Sequence, residues 1–357
     1  MKAVFFRKHG GIDVLEYGDV PEPEPGPGQV RVAIRAAALN HLDIFVRNGI
    51  PHVPLPMIPG ADGAGVVDAV GDGVDAEGLA LGSAVLVQPG LSCGVCEFCR
   101  GGEQCLCVRF QILGEHEPGT FAEKVVVPAR NLYPIPEGLG FADAAAFPLV
   151  YQTAWRMIVG RAAVRPGETV LVHGAGGGVG GAAVEIAMLC GGRVYATSSG
   201  DEKERALRKQ GVEVVLDYRR QDVGKELHVL TKKRGVDVIV DCVGEATWMT
   251  SLRGAAKGGR IVTCGATSGP NPKEEMRLIF WKQLSILGST MANDREFGAL
   301  LSAVASGRLR PRIDATLPFS RAAEAYQRME DGLQHGKIVL VPDSLVRDSA
   351  IGPGPGA

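Results

Sequence analysis

Residues 169–181 read TVLVHGAGGGVGG. The run Thr169 to Val172 is rich in β-branched residues. Glycines follow at 174, 176, 177, 178, 180 and 181, and an apolar stretch continues to Gly191. The pattern predicts a strand, a tight turn and a helix opened by glycines. Gly177 and Gly180 have the spacing of the last two glycines of a dinucleotide fingerprint, with Ala175 at its first position. Missing side chains let a pyrophosphate lie against backbone at the helix N-terminus, where free N–H groups and the helix dipole favour anions. Gly176, Gly177, Gly178, Val179 and Gly180 are therefore expected to hold a cofactor phosphate. The competing reading is a Gly-rich turn that serves only close helix–strand packing.

The reading extends outward in both directions. RVYATSS (193–199) is the next predicted strand. An NAD-preferring site has an acid near its end for the ribose hydroxyls; Ser198 stands there instead. The hydroxyls of Thr197, Ser198 and Ser199, with Lys203 and Arg205 beyond, suit a 2′-phosphate. That favours NADP(H) over NAD(H). The opposing reading makes Lys203 and Arg205 a solvated first turn and assigns the ribose to Asp201. Further strands end at Val243-Gly244, at Gly265-Ala266-Thr267 and at Gly288-Ser289-Thr290. Ligands of doubly wound sheets bind at carboxyl strand ends, so these backbones are expected at the nicotinamide and its ribose.

Residues 150–289 thus alternate strands and helices, the signature of a parallel doubly wound sheet. Residues 1–149 instead show short Val/Ile-rich runs between Gly/Pro breaks (VRVAIRAAAL, AGVVDAV, SAVLVQPG, FAEKVVVPA), which predict a β-rich, barrel-like domain. Residues 290–345 hold two predicted helices and a closing strand, GKIVLVP. The tail 346–357 is expected to lack order. The fold class is α/β.

At 357 residues two domains are the default. Net charge is −2 and the basic runs are short, so no nucleic-acid face is expected. The opening MKAVFFRKHGG has too short an apolar run for a signal peptide. No apolar run reaches the roughly 18 residues of a membrane span. Five of the eight cysteines fall in CGVCEFCRGGEQCLC, residues 93–107. A secreted disulfide framework spreads its cysteines along a small chain; clustering points to metal in a reducing cytoplasm. Cys93, Cys96, Cys99 and Cys107 follow one another at spacings of three, three and eight, which suits a closed four-thiolate zinc knot. Cys105 is read as a non-ligand.

With these segments in hand, the chain resembles the medium-chain dehydrogenase/reductase superfamily, which includes zinc alcohol dehydrogenases and zinc-free quinone oxidoreductases. The resemblance spans about residues 1–342. It rests on LNHLDIFVRNG, PGADGAGVV, the cysteine stretch, FPLVYQTAW, the GGGVG loop and GKIVL. It implies a GroES-like catalytic domain, an inserted Rossmann domain, a substrate cleft between the two, a structural role for the zinc and a homodimer or homotetramer. The dimer would form through the strand around Leu284 to Gly288.

The alcohol dehydrogenase pattern also requires three catalytic zinc ligands. The first, a cysteine, is replaced by Asn40 in Asn40-His41-Leu42-Asp43. The second, a histidine, is replaced by Ala61 in Gly60-Ala61-Asp62. The third lies near Phe147–Trp155, which contains no Cys, His, Asp or Glu. An open catalytic site needs three protein ligands. An unorthodox site from His41, His52, Asp43 and Asp62 is the remaining route to a second metal. The tyrosine common in the quinone oxidoreductase branch is Phe45 here.

Without a Lewis-acid zinc, a conjugated acceptor is the easier hydride acceptor, because charge spreads onto an oxygen that hydrogen bonds can stabilise. The expected activity is NADPH-dependent reduction of a quinone or activated alkene, with one structural zinc. The alternatives are an alcohol/aldehyde oxidoreductase and a low-turnover cofactor-bound binding protein. Asn40 is the expected hydrogen-bond donor, His41 a proton donor, Asp43 a loop-ordering acid and Asp62 a partner for Asn40. Thr153 is expected near the nicotinamide, with packing at the domain hinge as the alternative; Lys337 is expected among the cofactor residues, with pairing to an acid as the alternative.

Overall fold

The computed structural model describes residues 1–75 and 79–346. The tail expected to lack order lies, past Val346, outside the described residues. The chain divides into two compact units, Met1–Leu149 with Leu301 onward, and Val150–Leu300. The sequence sets the second boundary at 290, whereas the division falls inside the helix Asp294–Ala305. The start of that helix is held in the second unit by a buried ion pair, Arg156 with Glu296, at 2.7 Å.

The first unit is built on a seven-stranded sheet. Its order is Ile313–Pro318, Lys337–Val341, Gln29–Ala38, Asp62–Val70, Ala84–Val87 and Leu132–Pro134, with Lys124–Pro128 also paired to Gln29–Ala38. The central strand shows why. Val30, Val32 and Ile34 alternate inward and Arg35 outward, the period-2 pattern of a half-buried strand. Its apolar face joins Val67, Val85 and Val125 in one core. Each such burial contributes about 1.5–3 kcal/mol.

Register then gathers polar residues at one end of this sheet. Ala38 lies opposite Asp62 on one side and Val339 on the other. Leu39 N–H bonds Ile338 O at 2.9 Å. The antiparallel ladder therefore carries Asn40 toward Lys337, next to Asp62. Beneath them Gly60 takes φ +102°, and a Cβ there would lie 2.4 Å from Phe121 Cδ1 and 2.7 Å from Thr120 Oγ1.

The second unit holds six parallel strands in the order Val214–Asp217, Arg193–Ser198, Thr169–Val172, Val236–Asp241, Ala255–Thr263 and Ser285–Gly288. Val170, Leu171 and Val172 are fully buried, as expected for a strand covered on both faces. The chain steps outward on either side of this strand, so the sheet has its switch point at the glycine loop. The helix Gly178–Leu189 starts from Gly177. A Cβ on Gly180 would meet Gly174 O at 2.3 Å, so this glycine lets the helix close onto the loop. Among the described residues no helix is long and apolar enough to cross a membrane.

Gly60→Ala is expected to cost about 2–4 kcal/mol, from overpacking and a left-handed backbone together. Gly138 also has positive φ but nothing within 4 Å of its would-be Cβ, so Gly138→Ala should cost only about 1 kcal/mol. Denaturant midpoints of the two variants check this ordering.

Candidate active site and metal centre

The Sγ atoms of Cys93, Cys96, Cys99 and Cys107 all lie within 4.8 Å of one another. Cys96 and Cys99 sulfurs are 3.5 Å apart, Cys93 and Cys99 sulfurs 3.9 Å. A tetrahedron of about 2.3 Å Zn–S bonds requires similar separations. Backbone N–H groups point at the sulfurs: Cys93 and Arg109 donate to Cys107 Sγ, and Cys96 donates to Cys93 Sγ. Such bonds favour thiolates, the ligand form. N–H groups of Val95 and Cys96 bring the Cys93 thiol down to about 5, while burial pushes Cys99 up to about 11. The quartet fits a structural zinc. Cys105 stands outside it, 3.9 Å from Glu103 Oε2. Among the described residues no other group of three or more His, Cys, Asp or Glu side chains is gathered closely enough to hold a metal. His41, His52, Asp43 and Asp62 do not assemble into one.

Lys337, Asn40 and Asp62 form a buried polar cluster in the first unit. Lys337 Nζ donates to Asn40 Oδ1 and to Asp62 Oδ2, the latter at 3.0 Å. Asn40 Nδ2 donates to Asp62 Oδ2 (3.0 Å) and to Ala38 O (3.3 Å). Asp62 Oδ1 accepts the N–H of Leu149 at 2.8 Å. Both amide hydrogens of Asn40 are thus engaged within the protein. Lys337, expected on the cofactor side, is here the partner of the acid. Ala61 beside it is fully buried and offers no ligand.

Asp43 caps the helix His41–Asn48 from inside. Its carboxylate accepts Asn40 N–H at 2.7 Å and Gly60 N–H at 3.0 Å, while Asn40 closes the reciprocal capping box. Burial pushes the Asp43 carboxyl up to about 7, against the opposing pull of those two bonds and of Lys337. Asp43 therefore orders the loop. His41 is exposed at the first helical position.

In the second unit the glycine loop is tied to the next strand, with Gly174 N–H on Thr197 Oγ1 (3.1 Å) and Ala175 N–H on Thr197 O (2.9 Å). A Cβ on Gly176 would meet Lys203 Cδ at 2.8 Å and Ser198 Oγ at 3.3 Å, so Gly176, Ser198 and Lys203 share one place. Ser198 Oγ is buried with no hydrogen-bond partner. Tyr218 O–H donates to Ser199 Oγ at 3.2 Å, and Asp201 pairs with Arg220. Ser289 Oγ and both ends of the Gln152 side-chain amide are likewise buried and unpartnered. A glycine cradle with unpartnered hydroxyls fits a dinucleotide. At two other strand ends the chain folds back on itself: Thr267 N–H and Oγ1 both lie 3.4 Å from Cys242 O, and Ser268 N–H bonds Val243 O at 2.8 Å. Gly265, Ala266 and Thr267 thereby lie over the Val243-Gly244 turn. Gly288 O accepts from Arg161 Nε at 2.9 Å, and Thr290 is exposed. Thr153 is buried, with Oγ1 3.9 Å from Met291 Sδ. Gln152 escapes a sequence reading that scans for ligand-type residues. Its only signal is an amide inside an otherwise apolar run.

Comparison with known proteins places this geometry. The family model described as "Alcohol dehydrogenase GroES-like domain" matches residues 26–137, and "Zinc-binding dehydrogenase" matches residues 178–306. The chain is 31% identical over 344 residues to acryloyl-coenzyme A reductase of Metallosphaera sedula, covering 95% of this chain and 99% of that one. It is 30% identical over 353 residues to quinone oxidoreductase of Homo sapiens, covering 96% and 98%. A crystal structure of an NAD-dependent alcohol dehydrogenase superposes with TM-score 0.91 at 48% identity, covering 96% of this chain and 99% of that one. The fold and the two sites define an oxidoreductase with a GroES-like domain, a Rossmann unit and a cysteine quartet that fits zinc. The chain belongs to the medium-chain dehydrogenase/reductase superfamily.

The purified protein is expected to carry one zinc per chain by elemental analysis. Cys96→Ser should lower that content and the melting temperature together. Lys337→Met should cost about 3–5 kcal/mol, because it leaves the Asp62 charge buried and unpaired. Adding Asp62→Asn to it should recover more than half of that loss; an additive double variant would contradict the pairing.

Proposed function

We propose that this enzyme transfers hydride from NADPH to a conjugated carbonyl acceptor, a quinone or an activated alkene, without a catalytic zinc. One observation carries the reading. The residues at the first two catalytic-ligand positions are Asn40 and Ala61, and Asn40 is bound into a Lys337–Asp62 ion pair. The similarity to quinone oxidoreductase and acryloyl-coenzyme A reductase supports the same acceptor chemistry.

Bound in the glycine cradle, NADPH would supply the hydride. The protein's own residues bind and orient. Gly176 to Gly180 give backbone room for the pyrophosphate. Ser198, Ser199 and Lys203 receive the 2′-phosphate, and Tyr218 joins them through Ser199. Val243, Gly265 to Thr267 and Gly288 to Thr290 line the nicotinamide end. Lys337 is a buried ammonium with two of its three N–H groups used. Its charge and third N–H suit an anionic oxygen of the cofactor, and Asn40 and Asp62 hold it in position. Thr153 faces the nicotinamide. His41, at the exposed helix start, supplies the proton that completes the reduced product.

A second reading is an alcohol dehydrogenase using NAD. It is favoured by the 48% identity to the solved NAD-dependent alcohol dehydrogenase. A substrate panel decides between them. NADPH oxidation with quinones and enones, with no oxidation of simple alcohols, is expected; alcohol oxidation with NAD that a chelator abolishes would overturn the reading. Ser198→Asp should shift preference toward NADH by about tenfold or more, since it sets a carboxylate against the 2′-phosphate.

The protein is further proposed to act in a reducing cytoplasm, with none of its eight cysteines in a disulfide, and to pair as a homodimer. The strand Ser285–Gly288 ends its sheet with an unpaired edge. Beside it Met276, Phe280 and Trp281 are 60%, 62% and 75% exposed. An open edge with an apolar flank invites a second copy. Trp281→Glu should shift sedimentation from dimer toward monomer.

A further inference from the structure

Two strand ends of the second unit are joined by a chain of buried side chains that the proposed chemistry leaves unused. His173, 1% exposed, follows the strand Thr169–Val172. Its Nδ1 lies 3.4 Å from Thr197 Oγ1 and its Nε2 lies 3.1 Å from Ser251 Oγ. Ser251 Oγ is 2.7 Å from Asp241 Oδ2. Asp241 Oδ1 accepts the N–H groups of Val243 and Gly244, each at 3.0 Å, and the Thr247 hydroxyl reaches both carboxylate oxygens. At the other end Thr197 Oγ1 accepts Gly174 N–H.

One arrangement of hydrogens satisfies every member. An ionised Asp241 only accepts, so the Ser251 hydroxyl donates to it. Ser251 Oγ then accepts from His173 Nε2–H. The neutral ring accepts at Nδ1 from the Thr197 hydroxyl, which keeps a lone pair for Gly174 N–H. An imidazolium would donate at both nitrogens and leave the buried Thr197 hydrogen without its acceptor. Burial draws His173 below the ordinary imidazole range, and Asp241 is the charged group that acts against this. The strand Arg193–Ser198 and the helix Trp248–Gly254 present to the ring the uncharged hydroxyls of Thr197 and Ser251.

Packing alone gives no reason for this chain, since apolar side chains would fill the space without four desolvated polar groups. What the chain does join is specific. One end fixes Gly174 at φ +64°, where the phosphate loop begins; the other fixes Gly244 at φ +88°, in the turn after the next sheet neighbour. We infer that His173 is a positioning residue for the dinucleotide. As the neutral Nε2–H tautomer it ties the phosphate loop to the Val243-Gly244 turn, so that both segments meet one bound cofactor in fixed register. This rests on the reading that the unit binds NAD(P)(H).

The test uses full-length, zinc-loaded protein and dissociation constants for NADH and NADPH from nicotinamide fluorescence at pH 8 and pH 5.5. NADH carries no 2′-phosphate, so its profile is free of that group's titration. His173→Phe and Ser251→Ala should each weaken both dinucleotides about tenfold at pH 8, the loss of one well-placed hydrogen bond. Ser251→Thr, which keeps the hydroxyl, should stay within about threefold of the parent. Parent affinity for NADH should fall on acidification, and His173→Phe should flatten that fall. In nitrogen-15 histidine spectra of the parent, His173 should show a protonated Nε2 and a bare Nδ1 at pH 7. Folded His173→Phe and Ser251→Ala proteins with parental affinities would overturn the inference, as would a protonated Nδ1. If His173→Phe does not fold, Ser251→Ala and the parent spectrum still decide. A parent that binds neither dinucleotide overturns the cofactor reading and this inference with it.

Discussion

A charge taken out of water must be paired, and in the first unit that requirement organises everything around the sheet end. Lys337 and Asp62 are both almost wholly buried. Several kcal/mol of desolvation on each is offset only if partners saturate them. The partners come from separate parts of the chain: the Asn40 amide from the helix start, the Leu149 N–H from the chain's exit, and the acid from the neighbouring strand. The antiparallel register of Gln29–Ala38 with both neighbours brings Asn40, Asp62 and Lys337 to one place, and the helix Pro148–Trp155 adds the Leu149 N–H. Asp43, one turn on, holds the same loop through two backbone N–H groups. A metal ligand at residue 40 would have to leave this cluster, and that would take one hydrogen-bond partner from the buried ammonium and one from the buried carboxylate.

The second unit meets a different constraint. A dinucleotide site needs bare backbone N–H groups, and bare groups without a ligand cost free energy. The chain manages this by bonding the loop from behind. Thr197 takes Gly174 N–H with its side chain and Ala175 N–H with its carbonyl. Asp241 takes Val243 and Gly244 N–H. Of the buried side-chain atoms left unsatisfied in this unit, Ser198 Oγ and Ser289 Oγ lie in the segments expected to meet the cofactor, while the Gln152 amide and Trp248 Nε1 lie outside them.

Local pattern made most of the fold legible. The alternation of Val30, Val32 and Ile34 marks a strand, and the glycines from 174 to 181 mark a strand–loop–helix turn. The cysteine spacing marks the quartet, because those ligands are close in sequence. The site was legible only in part, for a physical reason. The bond from Lys337 to Asn40 joins residues 297 positions apart and depends on strand register. Sequence offers Lys337 to the cofactor or to an acid, and Asn40 a bond to Asp62; what register adds is the bond from Lys337 to Asn40. The His173–Ser251–Asp241 chain is hidden in the same way. A histidine after an apolar strand and an aspartate ending another look ordinary until the sheet sets the two strands side by side.

The two metal positions of the family can then be seen to rest on separate energetics. The cysteine lobe has few apolar residues of its own, and four thiolates converging without a cation would repel one another. A bound metal would be part of its folding free energy. The position of the catalytic metal has no such dependence in this chain. Asn40 is satisfied by Lys337, Asp62 and Ala38 O, and Ala61 asks for nothing. Loss of the structural zinc would unmake a lobe, whereas the absence of ligands at Asn40 and Ala61 leaves a cluster whose charges and amide are already paired. The cysteine quartet and the cluster around Asn40 are therefore energetically independent of one another. Asn40, Asp62 and Lys337 are held together by the same sheet that carries the rest of the unit.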